Sequence, residues 1–136
     1  MKRSRQLLPH TLLIIVMGML TASSGKLLAQ ENTPYVRIAT IVVDSTQLES
    51  YKAALQEQAA AAISKEPGVL TLYAVYDKEH PAHVTVFEIY ASVTAYQSHI
   101  KTPHFLKYKS TVEKMVKSLV LTDVVPIALA TKPGQP

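Results

Sequence analysis

The sequence contains no cysteine and no tryptophan, and only two phenylalanines and four glycines in 136 residues. Without cysteine there is no lipobox and no lipid anchor of that type. A cysteine-free chain is compatible with an oxidising compartment. Glycine is too sparse for a phosphate-cradling loop, and "EPG" (Glu66 to Gly68) is a helix stop rather than a dinucleotide fingerprint. Acidic residues are missing from the first 29 positions. Long apolar runs are scarce too: "LLIIVMGML" (Leu12 to Leu20) is too short to span a bilayer as a helix.

What stands around that run gives it a meaning. "MKRSR" is a basic head, and "TASSGKLLA" turns small and polar before Ala29. This order is that of a secretory signal peptide cleaved near Ala29. The expected product is secreted or periplasmic. Lys2, Arg3, Arg5 and Lys26 account for the formal net charge of +4, leaving ten basic and ten acidic residues beyond Ala29. A neutral domain carries no electrostatic footprint for nucleic acid, nor for a membrane after cleavage.

The remainder reads as one domain. Residues 30–34 are a polar leader, 35–130 the domain, and 131–136 a disordered tail. "YVRIATIVV" (Tyr35 to Val43) is β-branched and reads as a strand. Asp44 with Gln47 makes a capping-box pattern, and Leu48, Tyr51, Leu55, Ala59 and Ala62 form one helical stripe. "EPG" ends that helix. "VLTLYAVY" (Val69 to Tyr76) and "HVTVFEIYA" (His83 to Ala91) pair as a hairpin across a short turn. Ser92 caps a short helix, Val93 to Lys101. Thr102 caps another, with Pro103 in its first position and Phe105, Tyr108, Val112, Met115 and Leu119 as its stripe. "LVLTDVVPIALA" supplies a last strand with Pro126 at an edge or bulge. The order βαββα(α)β predicts an α+β, ferredoxin-like antiparallel sheet with helices on one face.

Neither side of the strands alternates towards polar residues as a wet face requires. Val69, Thr71, Tyr73 and Val75 oppose Leu70, Leu72, Ala74 and Tyr76. The helices cover one side, so a second copy packed sheet against sheet is expected on the other, with an apolar cavity enclosed between them.

The segment "EPGVLTLYAVYDKEHPAHVTVFEIYASVTAYQSHIKTPHFLKY" resembles the antibiotic biosynthesis monooxygenase family, including its quinol-oxidising members. The matching parts are "EPG" before a strand, Glu88 within "FEIYAS", the aromatic Tyr96, and "H…PHF" from His99 to Phe105. The likeness runs from about Tyr35 to Val125. It implies a dimeric α/β barrel and oxidation of a small aromatic or apolar ligand by O2 without cofactor or metal. Haem-degrading relatives use an Asn in the first strand, a Trp, and a His on the last helix. Here the first strand has no Asn, the chain has no Trp, and Lys109 stands in place of that His. Haem degradation is therefore not expected.

Seven residues are candidates for the site. His99 shares a helix face with Tyr96 three positions earlier. It fits either a general base taking a phenolic proton or a half-buried imidazole bonded within the fold. His104 opens a helix, where the dipole disfavours imidazolium. It either meets the substrate or pins the turn. Glu88, mid-strand among apolar neighbours, must pair with Arg37 or hold its proton more tightly than usual. Tyr73 and Tyr90 are ring-binding candidates. As a metal pair His99 and His104 look poor, being split between helices with no evident third ligand. "HPAH" (His80 and His83) lies in a surface turn, where solvated histidines are common. A non-catalytic ligand-binding homodimer, and a structural homodimer with an empty core, are the alternatives to an enzyme.

Overall fold

The computed structural model describes residues 33–134. The expected signal peptide, most of the polar leader and the last two residues of the tail lie outside them. Among the described residues no helix is long and apolar enough to cross a membrane.

Strand β1 (Tyr35–Val43) is central, and its period-two pattern sorts its side chains between two environments. Ala39, Ile41 and Val43 point to one face and are nearly inaccessible. β2 (Val69–Tyr76) and β3 (His83–Tyr90) form the expected hairpin, and Asp77 Oδ1 closes its turn by accepting from the Glu79 and His80 backbone N–H groups. β3 pairs antiparallel with β1 in the register Arg37↔Glu88, Ala39↔Val86 and Ile41↔Val84. β4 (Val116–Val124) pairs antiparallel with the other edge of β1. The order β2-β3-β1-β4 is the ferredoxin-like arrangement.

Helices α1 (Leu48–Lys65), α2 (Val93–His99) and α3 (Pro103–Val112) lie on the face that Ala39, Ile41 and Val43 share with Val84 and Val86. Tyr51, Leu55 and Val112 seal that core. Ser92 caps α2 through Oγ, accepting from Ala95 N, and Thr102 caps α3 with Pro103 following. Gly68, between α1 and β2, is required by proximity. A Cβ there would stand 2.7 Å from the Ala95 Cβ of α2.

Four local expectations are corrected. Asp44 caps a single 3-10 turn (Ser45–Gln47) before α1, accepting from Thr46 N, while the Gln47 side chain reaches the Lys114 carbonyl. The capping box is therefore not closed. The buried stripe of α1 runs Tyr51, Leu55, Gln58, Ala62, so a glutamine takes the place assigned to Ala59. α2 stops at His99 rather than Lys101. β4 begins at Val116 and ends at Val124, before Pro126, which has no N–H to extend the ladder. Leu119 thus belongs to β4 and not to the stripe of α3.

The non-helical face carries Ile38, Val42, Tyr73, Val75, Phe87 and Val120. Val75 and Val120 are 63% and 55% exposed in the single chain. The same face also carries Thr40, Thr85, Ser118 and Thr122, so exposed apolar residues stand there among hydroxyl side chains.

Candidate active site

The main cavity, of about 510 Å³, lies between the helices and the sheet of one protomer. The chamber expected between two sheets is a different place, on the opposite face of the sheet. Ala39 and Val86, at the middle of the helix-facing sheet surface, line the main cavity together with Phe105 and Tyr108 of α3. The cavity opens towards β4, where Leu119 and Leu121 stay about half exposed.

Besides Gln58, Lys109, Ser110 and Glu113, which line the side of α1 and α3, the polar part of the walls is one stripe. Glu88, Tyr90, Arg37 and Tyr96 supply it, and all four were candidates from sequence. Glu88 and Arg37 are directly opposed on neighbouring strands, so their side chains leave the sheet on the same side. Burial raises the Glu88 pKa, while the Tyr90 hydroxyl and the Arg37 charge offset part of the rise. The same burial raises the Tyr90 phenol, and nearby Glu88 raises it further. A carboxyl that holds its proton longer than usual, beside a neutral phenol, is a proton-exchanging group in an apolar wall.

Arg37 does not spend its guanidinium on Glu88. Nε and Nη2 donate to Asp123 Oδ1 at 2.9 and 2.8 Å, Nη1 donates to the Tyr96 hydroxyl at 2.5 Å, and Nη2 also meets the Tyr35 hydroxyl. Tyr35 in turn donates to Asp123 at 2.7 Å. These bonds from Tyr35 and Arg37 hold the Asp123 carboxyl below the usual carboxylate range. The cation is thereby fixed across β1, β4 and α2, and it faces the cavity with its orientation set.

The other three candidates stand elsewhere. His99 is 1% exposed and lies behind the wall, not in it. Its Nδ1–H donates to Glu66 Oε1 at 2.8 Å, and its Nε2 accepts from the Gln58 amide at 3.2 Å. With both ring nitrogens occupied it has no free lone pair to offer a substrate. It touches the cavity through Gln58 and through Phe105, whose ring meets it edge-on at 4.9 Å. His104 donates from Nε2 to the same Glu66 oxygen at 2.5 Å and borders a separate shallow recess. Tyr73 projects from the non-helical face opposite Phe87. It lines no part of this cavity.

Sequence reasoning missed Gln58, Tyr108 and Glu66. Tyr108 lines the cavity and holds the hydroxyl of buried Tyr51 at 3.0 Å. Gln58 was detectable as a polar residue three positions after Leu55, on the apolar stripe. Glu66 was quoted within "EPG" but read only as a helix stop. Its carboxylate joins His99 to His104 and supplies the third ligand-type group that the histidine pair lacked in sequence.

Known proteins share this fold. The family model of antibiotic biosynthesis monooxygenases matches residues 34–111. A crystal structure of a candidate antibiotic biosynthesis monooxygenase from Bacteroides thetaiotaomicron superposes with a TM-score of 0.71 at 48% identity. That alignment covers 74% of this chain and 95% of the other. A candidate monooxygenase from Lactobacillus acidophilus aligns at 25% identity and a TM-score of 0.68, over 70% of this chain and 45% of the other. Rv0793 from Mycobacterium tuberculosis shares the fold at 21% identity and a TM-score of 0.64, over 72% and 99%. No functionally curated protein matches the sequence. The family match spans more than half of the chain, and with it the chain belongs to the antibiotic biosynthesis monooxygenase family.

Proposed function

We propose that the protein is an exported monooxygenase that oxidises a small quinol-type aromatic with O2, using the cavity beneath its helices. The observation that carries this reading is Glu88. It is a buried, proton-retaining carboxyl in a largely apolar cavity, beside an oriented guanidinium. A cavity of about 510 Å³ takes one or two fused rings, within the range of small-molecule sites. The aromatic edges of Tyr90, Tyr96, Phe105 and Tyr108 suit a flat ligand.

The chain's own share of the chemistry is proton transfer, charge stabilisation and exclusion of water. Ionised Glu88 takes the proton of a ring hydroxyl. Arg37, held by Asp123 and Tyr96, stabilises the aryloxide that results. The electron-rich anion then reduces O2 by one electron, and the substrate itself supplies the reducing power. Apolar walls keep the intermediates from bulk water. His99 acts by position. Locked by Glu66 and Gln58, it supports Phe105 and the Gln58 amide at the cavity wall.

The exposed apolar residues of the non-helical face support a homodimer, each copy covering the other's Val75 and Val120. Export rests on the basic, apolar and small-residue order of residues 1–29. Oxygen uptake by the purified domain, tested with a panel of hydroquinones and naphthoquinols, examines the proposal. Uptake above the spontaneous rate, with a product one oxygen heavier, is expected. A rate equal to that of heat-denatured protein across the panel overturns it. A binding role in the same cavity would give ligand-induced stabilisation without uptake.

A further inference from the structure

We propose that Glu66, His99 and His104 form a binding site for one divalent transition-metal ion of the zinc or cobalt type. This site lies behind the wall of the catalytic cavity and meets that wall through Gln58 and Phe105. Three potential ligand atoms, His99 Nδ1, His104 Nε2 and a Glu66 carboxylate oxygen, all lie within 4.8 Å of one another. Two imidazoles and a carboxylate are a ligand set that suits such ions, with water completing the coordination.

The three groups come from separate elements and are held there by the backbone. Glu66 is the C-cap of α1, with its N–H bonded to the Ala62 carbonyl and Pro67 following. His99 ends α2, and its carbonyl accepts from Thr102 N and Thr102 Oγ1. His104 follows Pro103 in the first turn of α3. The ordering of these segments has been completed before an ion arrives, which is the condition for affinity in a site of only three protein ligands.

Both imidazole nitrogens converge on a single oxygen, Glu66 Oε1, at 2.8 and 2.5 Å. Around an ion with bonds near 2.0–2.2 Å, tetrahedral ligand atoms stand about 3.4 Å apart. The two nitrogen–oxygen separations therefore need to open by less than about 1 Å, with the N–H protons moving to the far ring nitrogens. Gln58 already faces the far nitrogen of His99 at 3.2 Å. When His99 binds through Nδ1, its Nε2 becomes a donor, and a half-turn of the Gln58 amide presents Oε1 to accept from it. That partner fixes the ring in the metal-binding tautomer. Access is from the side of Glu66 and His104, whose side chains are 13% and 15% exposed, whereas His99 is the buried anchor.

The test is a Co2+ titration of the chelator-treated full domain, followed by its visible d–d absorption and by Zn2+ competition. Wild type is expected to bind one equivalent and to melt at a higher temperature with Zn2+ than without. Glu66→Gln keeps an oxygen that accepts from an imidazole but removes the charge, and His104→Ala removes the most exposed ligand. Each is expected to weaken binding by about 100-fold or more. His80→Ala controls for the hairpin, where the His80 and His83 rings stack at 5.6 Å, and is expected to change nothing. No d–d absorption in wild type with excess Co2+ overturns the site. So does absorption lost in His80→Ala but retained in His104→Ala. If Glu66→Gln fails to fold, wild type and His104→Ala decide between these results.

Discussion

Arg37 and Glu88 stand opposite each other across the β1–β3 ladder, yet the guanidinium gives its hydrogen bonds to Asp123, Tyr35 and Tyr96. The arrangement leaves the carboxyl with only part of the cation's influence. Burial is the larger effect on Glu88 and raises its pKa from 4.5, while Arg37 lowers it less. A fully formed ion pair would have done the reverse and removed the proton-exchanging group from the cavity wall.

This raised pKa has a consequence for stability. Between the unfolded value near 4.5 and the higher folded value, the native state binds more protons at Glu88 than the unfolded state. Its contribution to stability therefore falls as pH rises through that window, and stays reduced above it. Glu88→Gln is expected to melt higher than wild type at pH 7 and to differ little at pH 4. Melting curves of both proteins across pH check this. A variant less stable at pH 7 would mean that the carboxylate is well paired.

Gly68 and Ala95 make a second testable contact. Gly68→Ala places a methyl group 2.7 Å from the Ala95 Cβ, in a contact between the α1–β2 turn and α2. A loss of about 1–3 kcal/mol is expected, as for overpacking elsewhere. Adding Ala95→Gly is expected to restore part of it, and a denaturant double-mutant cycle measures the coupling.

Tyr51 is fully buried, and its hydroxyl meets that of Tyr108 at 3.0 Å. Tyr51→Phe deletes this bond while keeping the ring. About 1 kcal/mol of stability is expected to go, measured by denaturant midpoint at unchanged slope. Because Tyr108 lines the cavity, freeing its hydroxyl is also expected to change substrate KM.

The fold was legible because its signals are local and agree with one another. Period-two strands, the Asp44, Ser92 and Thr102 caps, Pro103 at the start of α3 and the hairpin turn each point to the same topology. The cavity was half legible. Glu88 could be singled out because a carboxylate inside an apolar strand must pair or hold its proton, and Arg37 lay within reach on the first strand. The depth of His99 was not readable. A histidine three residues after Tyr96 shares its helix face, but one helix turn separates a wall residue from one behind the wall. Nor was the side of the sheet on which the cavity forms. That depends on how β1 and β3 meet α3, elements far apart in sequence whose residues line the cavity together.

The non-helical face gives a prediction about assembly. Val75 and Val120 are more than half exposed in the single chain and lie on the face proposed to pair. Val75→Lys is expected to weaken the dimer by about 100-fold, about 2.8 kcal/mol, by placing an unpaired charge in the interface. Sedimentation at several concentrations reads the shift. A wild type that is already monomeric at high concentration removes the dimer but leaves the cavity, which one protomer encloses, in place.

The most direct measurement is the steady-state oxygen-uptake rate of wild type, Glu88→Gln and Tyr73→Phe with the best quinol of the panel. Glu88→Gln preserves the size of the side chain and removes the base, so kcat should fall by about 10²–10⁴-fold. Tyr73→Phe, on the opposite face of the sheet, should retain the wild-type rate. Equal rates for wild type and Glu88→Gln would contradict the account.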